Sequence, residues 1–151
     1  MQDSVMRISS AGISHIKAYE QCKLSAYMPT KDDVPTIGWG HTKGVKLGTT
    51  ITQQQADAFL LEDLAWVEAC VNKYVTVPMS QSQYDGLCGF VYNLGETNFR
   101  SSTMLKHINR GDWKAAAKSM LQWDKQRTAK GLVVLRGLTL RRAKESAMLL
   151  H

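Results

Sequence analysis

The chain has 151 residues, of which 44% are apolar, so it can form one hydrophobic core but is too short for two domains of ordinary size. Its formal net charge of +6 favours polyanionic partners such as nucleic acid, anionic lipid or acidic wall polymers, without choosing among them. No segment approaches the roughly 20 apolar residues of a membrane helix, and the N-terminus lacks a signal-peptide pattern. We therefore expect no stable membrane insertion and no secretion signal.

The cysteine and histidine pattern is not that of a metal site. Cys22, Cys70 and Cys88 lie in apolar segments with helical periodicity and form no CxxC pair, so we predict buried, reduced thiols. The four histidines show no metal-ligand spacing with one another or with cysteine. We expect neither a metal nor any other cofactor.

The first predicted element is a short helix that begins at Ser9 or Ser10 and ends near Gln21. Either serine can cap the helix, and apolar residues follow at helical spacing. Glu20 then lies at the C-terminal end, where the partial negative charge of the helix dipole disfavours a carboxylate. Glu20 is therefore a candidate functional residue.

Short β-prone segments follow this helix. The pieces LSAY (24–27) and PTIGWG (35–40) predict two or three small strands, separated by the proline and aspartate cluster MPTKDDVP. The segment GTTIT (48–52) is a candidate for a further strand.

Two long helices are predicted next, each with a capping box at its start. Thr52 and Gln55 form the first box, before an amphipathic run that is helical to about Tyr74. Ser80 and Gln83 form the second box, before an apolar face that continues for three to four turns.

Gly95 is predicted to stop the second long helix. Three more helices are predicted after it. They cover 103–109, the segment WKAAAKSMLQW that Asp112 can cap, and the terminal segment GLTLRRAKESAMLL (137–150).

Together these elements predict an α+β fold in one domain spanning residues 1–151. The first helix and a small β lobe occupy about 9–50, and a larger, mostly helical lobe occupies about 52–151. Because substrates tend to bind in clefts at lobe boundaries, we expect a groove between the two lobes.

Glu20 and the aspartates of the following turn are candidates for a pair of catalytic carboxylates. Asp32 and Asp33 come 12 and 13 residues after Glu20. Glycoside hydrolysis requires one protonated carboxyl for the departing oxygen and one ionised carboxylate that activates water or stabilises positive charge. Spacing alone does not establish such a pair, because acidic residues in turns and at helix ends are usually solvated.

A more specific signal comes from AYEQCKLSAY followed by PTIGWGHT, which resemble the phage-type lysozyme family. These endolysins cut the glycan strands of bacterial peptidoglycan, with the approximate pattern E-G-x-x-L-x-A-Y-x-D-x-x-G-x-x-T-I-G-x-G-H-T. The similarity continues in FVYNLGETNFRSSTMLKHIN and GLTLRRAKE, so it covers nearly the whole chain from about Ser9 onward. It implies a lysozyme-like fold with the active site between the lobes. It also implies hydrolysis of the β-1,4 bond between N-acetylmuramic acid and N-acetylglucosamine.

The resemblance implies roles for Glu20 and Thr36. Glu20 corresponds to the general acid, and Thr36 corresponds to the threonine that positions the attacking water, a role that suits a hydroxyl able to donate and accept. The usual aspartate position is occupied by Pro29, which cannot act as a base. We favour Asp33 as the replacement, with Asp32 as the alternative. Both aspartates could instead serve only to form the turn.

The resemblance also implies substrate contacts on both walls of the groove. Aromatic and amide groups suit sugars, which present apolar ring faces and hydrogen-bonding N-acetyl groups. For Tyr92, packing in the core is an open alternative. The four tryptophans are expected to pack, with Trp39 the strongest candidate for an exception. The implied substrate contacts are Gly40, His41 and Thr42 on one wall and Tyr92, Asn93, Gly95, Ser102 and Thr103 on the other.

Ion pairs are implied at two further places. His41 matches a histidine that pairs with a carboxylate between the lobes, with Asp63 as its partner here, although a histidine could instead act as a general base. In the segment GLTLRRAKE, we interpret Arg141, Arg142 and Glu145 as ion pairs that fix the last helix, not as catalysts.

The resemblance further implies bacterial peptidoglycan as the partner and a separate holin for passage across the inner membrane. We expect a monomer that stays in the host bacterial cytoplasm until release to the periplasm or cell wall, and inversion at the sugar carbon. A wall-binding or phage-structural module of the same fold without turnover is the alternative. No nucleic-acid partner is expected, because charge alone suggests one and no recognition motif is present.

Overall fold

The structure is a computed structural model that describes residues 5–31 and 33–151. Within these ranges the chain forms helices and two small antiparallel sheets, so the predicted α+β class is confirmed. The helices are α1 (Ser10–Tyr19), α2 (Gln53–Tyr74), α3 (Gln81–Arg100), α4 (Thr103–Asn109), α5 (Trp113–Met120) and α6 (Arg136–Leu149). The strands are β1 (Lys23–Tyr27), β2 (Thr36–Gly38), β3 (Lys125–Thr128) and β4 (Gly131–Val134).

The β lobe is a small sheet with an added edge. Strands β1 and β2 pair antiparallel, with an irregularity in register along β1. The predicted strand GTTIT forms only an isolated bridge, between Thr50 and Ser25, flanked by backbone hydrogen bonds from Ala26 to Thr49 and from Ile51 to Leu24. The segment is therefore an edge of the sheet without being a regular strand.

Both predicted capping boxes are present. The Thr52 hydroxyl accepts from the Gln55 backbone and the Gln55 side chain accepts from the Thr52 backbone, and Ser80 and Gln83 make the same pair of bonds. Each box satisfies two backbone N–H groups that a helix start leaves unpaired. Helices α2 and α3 consequently begin where the sequence predicts.

Gly95 does not end α3 as predicted. Its φ of 87° and ψ of 170° interrupt the helical backbone at that residue, a conformation that favours glycine. The chain then resumes a helical course to Arg100, and the fully buried Phe99 packs near Phe90, with ring centroids 6.2 Å apart. Burial of Phe99 thus holds the second half of the helix in place, and Gly95 produces a kink.

Helix α3 is the central element of the helical lobe. Tyr84, Leu87, Phe90 and Val91 on this helix are fully buried, and α2, α5 and α6 contribute to the same core. A smaller cluster of Ile16, Leu60 and Leu64 joins α1 to α2. No helix in the described part of the chain is long and apolar enough to cross a membrane.

The cysteines differ in burial. Cys70 and Cys88 are buried as predicted, and burial raises the pKa of the Cys70 thiol to about 11. The prediction was wrong for Cys22, which is only half-buried. Helix α1 has already ended before this residue, so Cys22 lies in the link to β1 and not on an apolar helical face.

Candidate active site

Two adjoining hollows form a groove beside the β lobe, and Asn93 lines both of them. The first hollow has a volume of about 430 Å³ and the second about 300 Å³. The first is lined by Gly40, Thr42, Lys43, Asp63, Trp66, Tyr92, Asn93, Leu94 and Gly95. The second is lined by Tyr19, Glu20, Asn93, Leu135, Gly137, Leu138 and Arg141.

Glu20 caps the C-terminal end of α1. Its backbone turns to an extended conformation, with φ of −101° and ψ of 132°, while its N–H still donates to Ile16. The carboxyl is 21% exposed at the second hollow. Oε1 accepts a hydrogen bond from Nη1 of Arg141 at 2.8 Å, and Oε2 lies on the side of Gly40, where a β-carbon would be 3.5 Å away.

Arg141 joins three helices through one buried guanidinium. Nη1 donates to Glu20, Nη2 donates to the carbonyl of Gly89 at 2.9 Å, and Nε donates to Oε2 of Glu145 at 3.0 Å. Burial would lower the pKa of Arg141, but the negative charges of Glu145 and Glu20 outweigh that effect and raise it. The structure contains the ion pair with Glu145 inferred from the sequence and adds a direct contact with Glu20 that sequence reasoning missed.

Arg142 is fully buried next to Arg141 and fixes Asn93 at the groove. It donates to a side-chain oxygen of Glu145, to Oδ1 of Asn93, and to the carbonyl of Trp123 at 2.8 Å. Burial lowers the pKa of Arg142, with Arg141 adding to the effect, while Glu145 opposes it. Because Oδ1 of Asn93 accepts from Arg142, the amide nitrogen is the donor that this side chain offers to the groove.

Thr36 is buried in β2, and its hydroxyl donates to the carbonyl of Val34 at 3.0 Å. The hydroxyl proton is therefore bound to the Val34 carbonyl, and the oxygen keeps lone pairs that can accept. Thr36 is not among the residues that line either hollow.

Asp33 lies on an exposed turn. Its Oδ1 accepts from the backbone of Val34 at 2.8 Å, and its own N–H donates to Thr30 at 3.2 Å. Burial raises the pKa of Tyr27, and the negative charges of Glu20 and Asp33 raise it further. Tyr27 thus lies within electrostatic range of both carboxylates. The alternative aspartate, Asp32, lies outside the described residues.

His41 and Asp63 are in direct contact between the lobes. Nδ1 of His41 lies 2.8 Å from Oδ2 of Asp63, and the buried ring stacks on Phe59 with centroids 4.3 Å apart. Burial raises the pKa of Asp63, although the hydrogen bond from His41 opposes that shift. The His41 ring is not among the side chains that line the groove, whereas its neighbours Gly40 and Thr42 are.

Tyr92 makes a second link between the lobes. Its hydroxyl donates to the carbonyl of Trp39 at 2.6 Å, and its ring lines the first hollow. Burial raises the pKa of Tyr92, and Glu20 and Asp63 raise it further. The two roles considered for Tyr92 coexist, since it packs against the core and also faces the groove.

The remaining predicted contacts lie elsewhere. Ser102 is buried at the start of α4, where its hydroxyl donates to Phe99 and accepts from Leu105, so it faces the interior. Thr103 lines a separate cavity of about 340 Å³ beside Trp123 and not the hollow at Glu20. The structure therefore does not bring these two residues to the groove with the other predicted contacts.

Several groove residues are not predicted from the sequence, or are predicted to have another role. Trp66 is 44% exposed and lines the first hollow, although we expected it to pack. Trp39 is half-buried, and its indole N–H donates to Asp57 at 2.8 Å. Leu135, Gly137 and Leu138 lie at the start of α6 and line the second hollow, and no local pattern in the sequence indicates this.

Comparison with known proteins extends over nearly the whole chain. The family described as Phage lysozyme matches residues 17–145. An endolysin from Acyrthosiphon pisum secondary endosymbiont phage 1 is 42% identical over 143 residues, which cover 95% of this chain and 97% of that protein. The muramidase domain of SpmX from Asticaccaulis excentricus has a TM-score of 0.89 at 34% identity, covering 96% of this chain and 98% of that one. An endolysin from Escherichia coli O157:H7 phage FAHEc1 has a TM-score of 0.88 at 35% identity, covering 99% of this chain and 96% of that one.

Proposed function

Because the chain belongs to the phage lysozyme family, we propose that it is an endolysin that cleaves the β-1,4 bond between N-acetylmuramic acid and N-acetylglucosamine in bacterial peptidoglycan. The observation that carries this proposal is the Glu20 carboxyl at the groove, with Oε1 held by Arg141 and Oε2 left on the side of Gly40. A carboxyl held by one oxygen and free at the other is suited to deliver a proton.

Glu20 serves as the general acid. Its protonated Oε2 donates to the glycosidic oxygen as the bond between that oxygen and the sugar carbon breaks, which leaves an ionised carboxylate beside Arg141. Gly40 has a φ of +105° and no side chain, so the substrate can approach Oε2 on this side. Arg141 then stabilises the negative charge that Glu20 acquires.

Thr36 and Asp33 handle the attacking water. Oγ1 of Thr36 accepts one proton of the water in a hydrogen bond, since its own proton is bound to Val34. Asp33 takes the other proton as the water oxygen bonds to the sugar carbon. One carboxylate oxygen of Asp33 accepts from the Val34 backbone, so the other oxygen is the one that takes the proton.

The expected stereochemical outcome is inversion. An inverting enzyme separates its carboxyl groups by roughly 6.5–9.5 Å to admit the water, whereas a retaining enzyme holds them at about 5–5.5 Å. NMR of the first anomer released from a soluble oligosaccharide will test this. Initial release of the β anomer would contradict inversion of a β-linked substrate.

Lysis of purified peptidoglycan tests the activity itself. We expect the wild-type protein to reduce turbidity. The rate of turbidity loss should be lower by about 100-fold or more in Glu20→Gln, since glutamine cannot donate the proton. Glu62→Gln, an exposed carboxyl on α2, is the matched control and should lyse normally. An inactive wild-type protein would defeat the enzyme proposal, and equal lysis by Glu20→Gln would defeat the choice of acid.

A wall-binding or phage-structural module without turnover is the second candidate. It is favoured by Pro29 at the usual aspartate position and by the engagement of Asp33 with Val34. This alternative predicts sedimentation with peptidoglycan and no release of reducing sugar. Release of reducing ends by the wild-type protein would exclude it.

We further propose that the protein acts as a monomer and is held in the host bacterial cytoplasm until a separate holin opens the inner membrane. Expression of the protein with and without a holin tests the proposed retention in the cytoplasm, since lysis independent of a holin would require another route to the wall. Sedimentation at several concentrations tests the monomer.

A further inference from the structure

A buried chain of contacts leads from His15 to the Glu20 carboxyl. Nε2 of His15 lies 2.8 Å from Oε2 of Glu145, and the same oxygen accepts from Nε of Arg141 at 3.0 Å. Nη1 of Arg141 then donates to Oε1 of Glu20 at 2.8 Å. We propose that His15 is a positioning residue that fixes Glu20 through this chain, an inference that rests on Glu20 being the general acid.

The contacts of His15 place a hydrogen on Nε2. Burial would raise the pKa of Glu145, but the hydrogen bond from His15 and the charges of Arg141 and Arg142 outweigh it and lower the pKa. Glu145 is therefore ionised and its oxygen accepts, so Nε2 of His15 must donate. Nδ1 is buried without a hydrogen-bond partner among the described residues, so Nε2 makes the only polar contact that the ring has there.

Gly89 makes room for this arrangement. A β-carbon at Gly89 would lie 2.6 Å from Oε2 of Glu145 and 3.0 Å from Cδ2 of His15, so any side chain would displace the carboxylate or the ring. The Gly89 carbonyl also accepts from Arg141. Helices α1, α3 and α6 therefore meet around one shared oxygen atom, which His15 and Arg141 hold together.

His15 acts from outside the groove. Its side chain is 3% exposed and does not line the hollow at Glu20. The cavity that it does line shares Tyr19 with that hollow, and the Tyr19 ring lies 5.2 Å from the His15 ring, centroid to centroid. Two routes therefore lead from His15 to the groove, one through Glu145 and Arg141 and the other through the Tyr19 ring. Glutamine at position 15 separates them, because it keeps the hydrogen bond to Glu145 and loses the ring contact with Tyr19.

Kinetics of three variants will test the inference. His15→Leu removes the donor, His15→Gln keeps an N–H that can reach Glu145, and Ser14→Ala is the exposed control on the same helix. On a soluble peptidoglycan oligosaccharide, we expect His15→Leu to lower kcat about tenfold with KM within about twofold, because the acid is displaced while binding is kept. His15→Gln should restore kcat to within about threefold of wild type.

NMR of the Arg141 side chain gives a readout independent of turnover. Its Nε–H should exchange slowly in the wild type and in His15→Gln, and faster in His15→Leu. Near-UV circular dichroism will establish that each variant is folded, and His15→Asn, whose amide is too short to reach Glu145, replaces His15→Leu if the latter unfolds.

Unchanged kcat together with unchanged Nε–H exchange in the folded variant would overturn the inference. A loss of kcat that glutamine does not restore, or that comes with an equal rise in KM, would also overturn it. An inactive wild-type protein would instead defeat the proposed function, and wild-type activity in Glu20→Gln would defeat the choice of acid on which this inference rests.

Discussion

Arg142 on α6 donates a hydrogen bond to Oδ1 of Asn93 on α3, and this contact determines which end of the Asn93 amide is free. Arg142 is itself fully buried and held by Glu145 and the Trp123 carbonyl, so it cannot turn away. Asn93 lines both hollows of the groove. The groove therefore has a hydrogen-bond donor of fixed direction where its two halves meet.

Asn93→Asp tests the direction of this amide. Aspartate keeps an acceptor for Arg142 but replaces the free N–H₂ with a second acceptor, so the fold is retained while the polarity at the groove is reversed. We expect KM on a soluble oligosaccharide to rise about 10- to 100-fold, since a substrate carbonyl would lose its partner. The thermal midpoint should not fall.

Asn93→Ala is the matched comparison, because it removes the partner of Arg142 and should lower the thermal midpoint as well as the activity. An unchanged KM in Asn93→Asp would show that the Asn93 amide does not contact the substrate.

Asp33→Asn tests the second carboxylate. Asparagine still offers an oxygen to the Val34 backbone, so the turn should persist, but it cannot accept the proton of the water. We expect turbidity loss on purified peptidoglycan to slow by about 100-fold. Asp32→Asn is the control and should keep nearly full activity.

The opposite pattern, with activity lost in Asp32→Asn alone, would transfer the role to Asp32. Full activity in the double variant would mean that both aspartates serve only the turn.

Gly89→Ala should destabilise the protein. The added carbon would lie 2.6 Å from the buried Glu145 carboxylate, so we expect the free energy of unfolding to fall by about 1–3 kcal/mol, as for other overpacked cores. Gly137→Ala on α6 is the matched helical control, with no atom within 4 Å of the added carbon. It should be neutral or stabilising by up to about 1 kcal/mol.

Urea unfolding monitored by circular dichroism measures both glycine variants. Equal stability of Gly89→Ala and Gly137→Ala would mean that the packing around Glu145 accommodates the added carbon at little cost in free energy.

Asp57 should contribute to the loss of stability in acid. Hydrogen bonds from Trp39 and Gln53 and the charge of Lys17 hold the pKa of Asp57 below its ordinary value of 3.8. A carboxyl with a lowered pKa stabilises the fold fully above its unfolded pKa, and this contribution is lost as pH falls through the folded value. The thermal midpoint should therefore drop less between pH 6 and pH 3 in Asp57→Asn than in the wild type.

The indole N–H resonance of Trp39 should report the same titration, with a midpoint below pH 3.8. A midpoint above that value would contradict the assigned direction.

Elements whose signals are local could be predicted from the sequence. The boxes at Thr52 and Ser80 depend on residues three positions away, so both helix starts were found. The hairpin of β3 and β4 was not found, because most of its side chains are exposed and leave no alternation of buried and exposed positions. The lysozyme-like architecture followed from the family motifs, and the structural relatives share it.

The site was predictable as a set of residues but not as a set of contacts. Glu20 and Arg141 are 121 positions apart, and their contact exists only because α1, α3 and α6 pack around Glu145. The direction of the Thr36 hydroxyl likewise depends on the turn at Val34. Motif spacing identifies such residues, whereas tertiary packing decides which atom of each is free.

The junction around Glu145 also restricts the evolutionary routes open to this protein. Loss of the Glu145 carboxylate alone would leave the buried guanidinium groups of Arg141 and Arg142 without the negative charge between them. Loss of either arginine would leave the buried Glu145 carboxylate without its full set of donors. A side chain at Gly89 would disrupt the same centre. Homologous sequences that differ here should therefore differ at several of these positions together, because intermediates with one change would fold poorly.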